Sequence, residues 1–208
     1  GETAEMPGFY ADGEYDIAGF IVGAVERTKL LEGRGIVPGD RLIGLRSSGL
    51  HTNGYSLARR VLFDAGGLGA DSHLPELGQS VGEALLAVHR SYLHPVSGLL
   101  DAGLVKGMAH ITGGGITENV PRTLPEACSV RVDRRAWRVP ALFQLIQDRG
   151  SVGRDEMFRA FNMGIGLVIV CADADTPRAL ELLAGAGEDG AVVIGEVVPG
   201  DRTVEYVG

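Results

Sequence analysis

Leu42-Ile43-Gly44-Leu45 followed by Ser47-Ser48-Gly49-Leu50-His51-Thr52-Asn53-Gly54-Tyr55-Ser56 is the stretch on which the reading of this chain turns. The apolar run reads as a strand. From Tyr55 to Phe63, Leu57 with Val61 and Ala58 with Leu62 recur at helical spacing, so a helix follows. Between them lie glycines, hydroxyls, an amide and one histidine. Backbone N–H groups where a helix begins, beside small hydroxyl residues, suit a phosphate or another anion. A polar loop that merely caps its own helix accounts for the same residues equally well. The rest of the chain has to separate the two.

Downstream, Gly66 to Gly78 is a polar, glycine-rich connection. Gln79 to Arg90 predicts a helix with Val81, Leu85 and Val88 on one face, and His94-Pro95 a break, because the residue before proline avoids the α region. Val96 to Ala102 is a short helix closed by Gly103. A second glycine cluster, Ala109-His110-Ile111-Thr112-Gly113-Gly114-Gly115-Ile116-Thr117-Glu118-Asn119, leads into a helix over Ile116–Leu124 that tolerates Pro121 in its first turn. Strands are expected at Cys128–Val132, Leu167–Cys171, Ala191–Val198 and Thr203–Val207. Helices are expected at Pro140–Arg149, Asp155–Phe161 and Thr176–Leu183. Without a strict βαβ alternation, the pattern is an α+β fold, a mixed sheet with packed helices. Upstream, Asp16–Glu26 is apolar and partly β-branched, a strand, and Leu31–Asp40 is a turn-rich linker where a domain boundary is placed. The chain opens on Gly1 inside a motif-like stretch, which reads as a fragment.

Composition limits the function. A net charge of −8 over 208 residues argues against nucleic acid as a partner. No run approaches the length of a membrane span and no signal peptide is visible, so no membrane is expected. Cys128 and Cys171 lack metal-ligand spacing and read as buried free thiols, in keeping with a cytoplasmic protein. Asparagine occurs at Asn53, Asn119 and Asn162 alone, each within two residues of a glycine or in a glycine-rich turn context, which points to left-handed geometry or to ligand hydrogen bonding.

Four clusters are candidates for a site: Glu2–Tyr10, Ser47–Ser56, Thr112–Asn119 and Asn162–Gly166. Ser47, Ser48, Gly49, Gly54 and Ser56 form one potential anion cradle, Thr112, Gly113, Gly114, Gly115 and Asn119 a second, with Asn162 in reach of a ligand. No lysine follows the glycines, so neither is a Walker A loop, and no dinucleotide fingerprint is present. His51, with Asn53 alongside, is the candidate acid–base group, since an imidazole in a polar loop titrates near neutrality. His110 stands before the second cluster; His73, His89 and His94 carry no motif. Glu2 and Glu5, with Thr3 between, are candidate ligands at a nucleotide and metal edge.

Taken in series, Gly1-Glu-Thr-Ala-Glu-Met-Pro-Gly8, Ser47–Ser56, His110-Ile-Thr-Gly-Gly-Gly-Ile-Thr-Glu-Asn119 and Phe161-Asn-Met-Gly-Ile-Gly166 resemble the phosphoribosylformylglycinamidine cyclo-ligases, the aminoimidazole ribonucleotide synthetases of purine biosynthesis. Single motifs are shared more loosely with formylglycinamidine ribonucleotide synthetase, thiamine-monophosphate kinase, selenophosphate synthetase and a hydrogenase-maturation protein. The resemblance implies that residues 1–28 are a remnant of an N-terminal nucleotide-binding and dimerisation domain and residues 29–208 a C-terminal α/β domain. It implies ATP and Mg²⁺ as cofactors, formylglycinamidine ribonucleotide as substrate, and a homodimer at full length. The family's N-terminal nucleotide segment is not in this sequence. A non-catalytic substrate- or partner-binding fragment, or a related amidine synthetase or small-molecule kinase, is therefore the competing expectation.

Overall fold

The computed structural model describes residues 21–208 together with Ala11, Gly13, Tyr15 and Gly19. The chain divides into two units, Gly1–Leu30 and Leu31–Gly208. In the first, the described residues 21–26 carry no strand and lead into a 3₁₀ turn, Arg27–Lys29. Asp16, Ile17, Ala18 and Phe20 of the strand expected over Asp16–Glu26 lie outside the described residues. Its described part lacks a ladder, with Ile21 96% and Val22 85% exposed. An extended segment becomes a strand only when its N–H and C=O groups meet another's.

The second unit runs β1 (Arg41–Arg46), α1 (Tyr55–Arg59, continued by a π-helical stretch, Arg60–Ala65), β2 (His73–Leu74), β3 (Gln79–Ser80), α2 (Val81–Leu85), α3 (Leu93–Asp101), β4 (Gly107–His110) and α4 (Gly115–Asn119). Then come β5 (Cys128–Asp133), α5 (Ala141–Gly150), α6 (Arg154–Ala160), β6 (Ile165–Cys171), α7 (Thr176–Gly185), β7 (Val192–Pro199) and β8 (Val204–Val207). Six strands form one sheet in the order β4-β6-β1-β7-β5-β8, antiparallel except for the β5–β8 pair. The fold is α+β, as the pattern predicts.

Each sheet face buries its own core. On one, Leu42, Val168 and Val170 pack with Leu62, Phe143, Phe158 and Phe161 from the helical side. On the other, Ile43, Leu45, Leu167 and Ile169 pack with Leu99 of α3 and Leu183 of α7. Cys128 and Cys171 are buried free thiols. Among the described residues, no helix is long and apolar enough to cross a membrane.

Several elements depart from the predicted ones for local reasons. The helix expected over Gln79–Arg90 is shorter: α2 starts at a capping box, Ser80 with Glu83, and ends at Leu85, with Leu86 as its C-cap. Val88, expected on the buried face, is 84% exposed. The chain leaves the helix there because Arg90 is drawn elsewhere, to buried Glu188 and to the Arg46 carbonyl. His94-Pro95 is no break; α3 begins at Leu93 and takes Pro95 in its first turn, where a missing N–H costs nothing. The helix expected over Ile116–Leu124 is α4 followed by a 3₁₀ turn, Val120–Thr123, with Pro121 at the start of that turn.

One irregularity positions the site. Leu45 and Arg46 are consecutive in β1, but their partners in β6 are Leu167 and Ile165, so Gly166 is a bulged residue without a partner in β1. A side chain there would strike the Tyr92 hydroxyl at 2.1 Å and the His51 ring at 2.7–2.8 Å.

Candidate functional site

Strand polarity brings the sequence clusters together. β4, β6 and β1 are neighbours, and β6 is antiparallel to both others. The C-terminal ends of β1 and β4 and the start of β6 therefore lie at one end of the sheet. Ser47–Ser56 leaves the end of β1, Thr112–Asn119 leaves the end of β4, and Asn162–Met163–Gly164 enters β6. Contacts between them are direct. A Cβ on Gly113 would lie 3.4 Å from Asn53 Oδ1, one on Gly54 would enter the Phe161 ring, and one on Gly115 would stand 1.9 Å from the Phe158 carbonyl oxygen.

The first loop is tightly wound. His51, Thr52 and Gly54 have φ of 53°, 64° and 75°. Left-handed backbone is unfavourable for a β-branched threonine and persists only where the surroundings impose it. Asn53 Nδ2 donates to the His51 carbonyl at 2.7 Å. Asn162, 1% exposed, ties this loop to the β6 entry. Its Oδ1 accepts from Ser47 Oγ at 2.9 Å and from the Gly164 amide at 2.8 Å, and its Nδ2 donates to the Gly49 carbonyl at 2.9 Å. Ser47–Gly49 also line a cleft of ≈ 180 Å³ with Leu77, Ala84 and Phe143. Ser56 is exposed on the first turn of α1.

The second loop is shaped by Asn119, which is buried and donates to the carbonyls of Gly115 (2.8 Å), Gly113 (3.1 Å) and Thr112 (3.4 Å), while Thr112 Oγ1 donates to its Oδ1 at 3.2 Å. With the carbonyls drawn inward, the amides of Gly113 and Gly114 meet no acceptor among the described residues. Gly113 is exposed. Thus Asn119 and Asn162, expected near a ligand, spend their amides on the two loops themselves.

His51 is 2% exposed. The Ser48 backbone N–H donates to its Nε2 at 3.0 Å, and Ser48 Oγ lies 2.9 Å from the same nitrogen while donating to the Val88 carbonyl at 2.6 Å. Ser48 thus serves Nε2 whether that nitrogen is bare or protonated; Nδ1 is buried with no partner. His89, which no motif marked, stacks on the His51 ring at 3.9 Å and 15°, and its Nε2 is 3.1 Å from His110 Nε2. Burial first, then His89, His110 and Arg90, hold the His51 pKa down at about 4, so the imidazole is neutral near pH 7. Tyr92, whose hydroxyl donates to the Arg46 carbonyl at 2.8 Å, closes the same corner, and burial pushes its pKa up. The signal for His89 was faint in sequence, because it falls where helical spacing predicts an ordinary helix end. Glu2, Thr3 and Glu5 lie outside the described residues.

With this geometry in place, known proteins can be set beside it. Residues 37–208 match the family described as AIR synthase related protein, C-terminal domain. The phosphoribosylformylglycinamidine cyclo-ligase of Syntrophotalea carbinolica is 52% identical over 100% of this chain, and that of Trichlorobacter lovleyi 53% identical over 95%. The chain spans 60% and 56% of those relatives' length. Among solved structures, thiamine-monophosphate kinase from Stenotrophomonas maltophilia shares the fold with a TM-score of 0.58 at 21% identity, covering 88% of this chain and 55% of that one. The hydrogenase maturation protein HypE in complex with ATP does so with a TM-score of 0.57 at 18% identity, covering 84% of this chain and 49% of that one. A match over nearly all of the second unit, with motifs that meet at one end of its sheet, places the chain in the AIR synthase related family.

Proposed function

We propose that the chain is the C-terminal portion of a phosphoribosylformylglycinamidine cyclo-ligase and contributes the phosphate-binding side of a site that closes formylglycinamidine ribonucleotide to aminoimidazole ribonucleotide at the expense of ATP. The observation that carries this reading is the meeting of the Ser47–Ser56, Thr112–Asn119 and Asn162–Gly166 loops at one end of three adjacent strands. The names of the relatives agree with it, as does the ATP complex of a protein with the same fold.

ATP supplies a phosphoryl group to the substrate's amide oxygen, turning a poor leaving group into phosphate when the amidine nitrogen attacks the same carbon. What remains for the protein is positioning and charge stabilisation. The free amides of Gly113 and Gly114 receive a phosphate. Asn53, with its Nδ2 given to the His51 carbonyl and its Oδ1 beside Gly113, fixes the first loop against the second. His51, neutral, exchanges a proton rather than offering positive charge, and Ser48 keeps its ring in place. Glu118 is the one carboxylate on these loops among the described residues, so Mg²⁺ is assigned chiefly to Glu2 and Glu5, with Thr3 at the nucleotide edge. Residues 1–28 then belong to an N-terminal nucleotide and dimerisation domain, residues 29–208 to the C-terminal domain, and the working form is a cytoplasmic homodimer.

The test is twofold. In the full-length enzyme, His51→Ala is expected to lower kcat/KM by at least 10²-fold, the usual scale of a lost acid–base group; a loss of only a few-fold removes His51 from the chemistry. Calorimetric titration of this chain with formylglycinamidine ribonucleotide and with ATP tests the division of labour. Substrate binding without ATP binding is expected, and no substrate binding contradicts the phosphate-side assignment.

A further inference from the structure

Beside the loop glycines lies a group of side chains that the proposed reaction does not use together. His51 comes from the first loop, His89 from the segment between α2 and α3, and His110 from the last position of β4. One ring nitrogen of each lies within 4.8 Å of one from each of the others. His89 Nε2 and His110 Nε2 are already 3.1 Å apart, close to the ~3.4 Å that separates two ligands around a tetrahedral ion with Zn–N bonds of about 2.0–2.1 Å. The third corner has a nitrogen to spare, since His51 Nδ1 is buried without a hydrogen-bond partner.

Three imidazoles need a reason to sit this close. His89 and His110 are exposed and could turn outward to water, yet they face each other and the buried ring. The surroundings of His51 also suit a ligand. The Ser48 amide donates to Nε2 when that nitrogen is bare. A metal at Nδ1 calls for the other tautomer, in which that bond is given up and Nε2–H donates to Ser48 Oγ. Ser48 Oγ still donates to the Val88 carbonyl, and Nδ1 is left with a free lone pair. An outer N–H held in this way fixes the tautomer and orientation of a metal-bound histidine.

We propose that His51, His89 and His110 form a binding site for one divalent transition-metal ion of the borderline class, with Zn²⁺ its natural occupant and solvent completing the tetrahedron. Imidazole nitrogens select Zn²⁺, Co²⁺, Ni²⁺ or Cu²⁺ over Mg²⁺, which takes oxygen ligands. The site is therefore distinct from the Mg²⁺ expected with nucleotide. An ion on His51 Nδ1, with Nε2 held by Ser48, withdraws His51 from the proton exchange proposed above, so the metal-loaded form is a resting form and not the reacting one. Binding turns the His89 ring out of its stack on His51, a movement open to an exposed side chain. It cross-links the first loop, the α2–α3 segment and the end of β4.

The experiment is titration of the chelator-treated chain with Zn²⁺ by calorimetry and with Co²⁺ by visible absorption, in wild type, His89→Ala and His110→Ala. The expected result is one equivalent bound, a Co²⁺ spectrum of tetrahedral type, and affinity lowered at least tenfold in each variant. Circular dichroism of the metal-free variants should be unchanged, because both residues are exposed. Failure of wild type to bind a stoichiometric ion, or undiminished binding in either variant, overturns the proposal. None of these readouts depends on turnover of formylglycinamidine ribonucleotide, so the site and the reaction stand or fall separately.

Discussion

Gly113 and Gly115 stand two positions apart and make opposite demands. Gly115 has φ of 59° and would place a methyl 1.9 Å from the Phe158 carbonyl oxygen; Gly115→Ala is expected to cost about 3 kcal/mol or more, read by urea denaturation. Gly113→Ala meets only Asn53 Oδ1 at 3.4 Å, an ordinary contact, so its stability should change by less than about 1 kcal/mol. Asn162→Ala leaves the Gly164 amide and the Gly49 carbonyl without their partner and should cost about 2–4 kcal/mol, with Asn162→Asp milder because it still accepts from Gly164. At this scale the sequence was informative but indirect. The scarcity of asparagine singled out three positions that do matter. Two of them, Asn119 and Asn162, hold loops in shape, being neither left-handed nor free to reach a ligand. Composition marks a residue as constrained; only the folded contacts say by what.

Among elements, strands β1, β5, β6, β7 and β8 and helices α5, α6 and α7 were legible, because apolar spacing and glycine or proline boundaries act within a few residues. β4 was not. Gly-Met-Ala-His is too short to show alternation, and it becomes a strand through pairing with β6, some sixty residues downstream. The end of α2 was misread because Arg90 and Glu188, far apart in sequence, pull the chain off the helix axis. Its start was not seen for what it is either: strand β3 ends at Ser80, the N-cap. Hydrogen bonds from Ser80 hold the Glu83 pKa below its ordinary value. A lowered carboxylate pKa stabilises the fold above the unfolded-state value, and that contribution fades as pH falls through the folded-state value. Ser80→Ala should therefore raise the Glu83 pKa toward the ordinary range in a carboxyl NMR titration and flatten the acid side of the stability profile. The Ser80 backbone N–H, the larger cause, survives in that variant, so the rise is partial; an unshifted Glu83 would mean that the Ser80 hydroxyl does not reach the carboxylate in solution.

For the molecule as a whole, the sheet has a site at one end and a lock at the other. Lys106, just before β4, donates to both oxygens of Asp40, just before β1, at 2.7 and 2.8 Å; Asp40 is 3% exposed and also accepts from the Val37 amide. Removing one partner of such a pair strands the other, so Asp40→Ala should cost about 3 kcal/mol while leaving substrate titration at the far end unchanged. None of this pairing was visible in sequence, since Asp40 and Lys106 stand 66 residues apart and meet only through β6, which lies between β1 and β4 in the sheet. Gly166 carries the last consequence. On either side of it, Ile165 faces one core and Leu167 the other, whereas residues two apart in an unbroken strand share a face; the two alternate as direct neighbours would. The β1–β6 ladder therefore has no need of the residue, whose carbonyl serves the other neighbour by accepting from the Ile111 amide at 2.9 Å. Excising Gly166 should heal β6 against β1 at the cost of the Ile111 amide's acceptor, and close the gap beneath His51 and Tyr92. The sheet can lose this position and remain a sheet, but the corner that seats the histidine ring cannot.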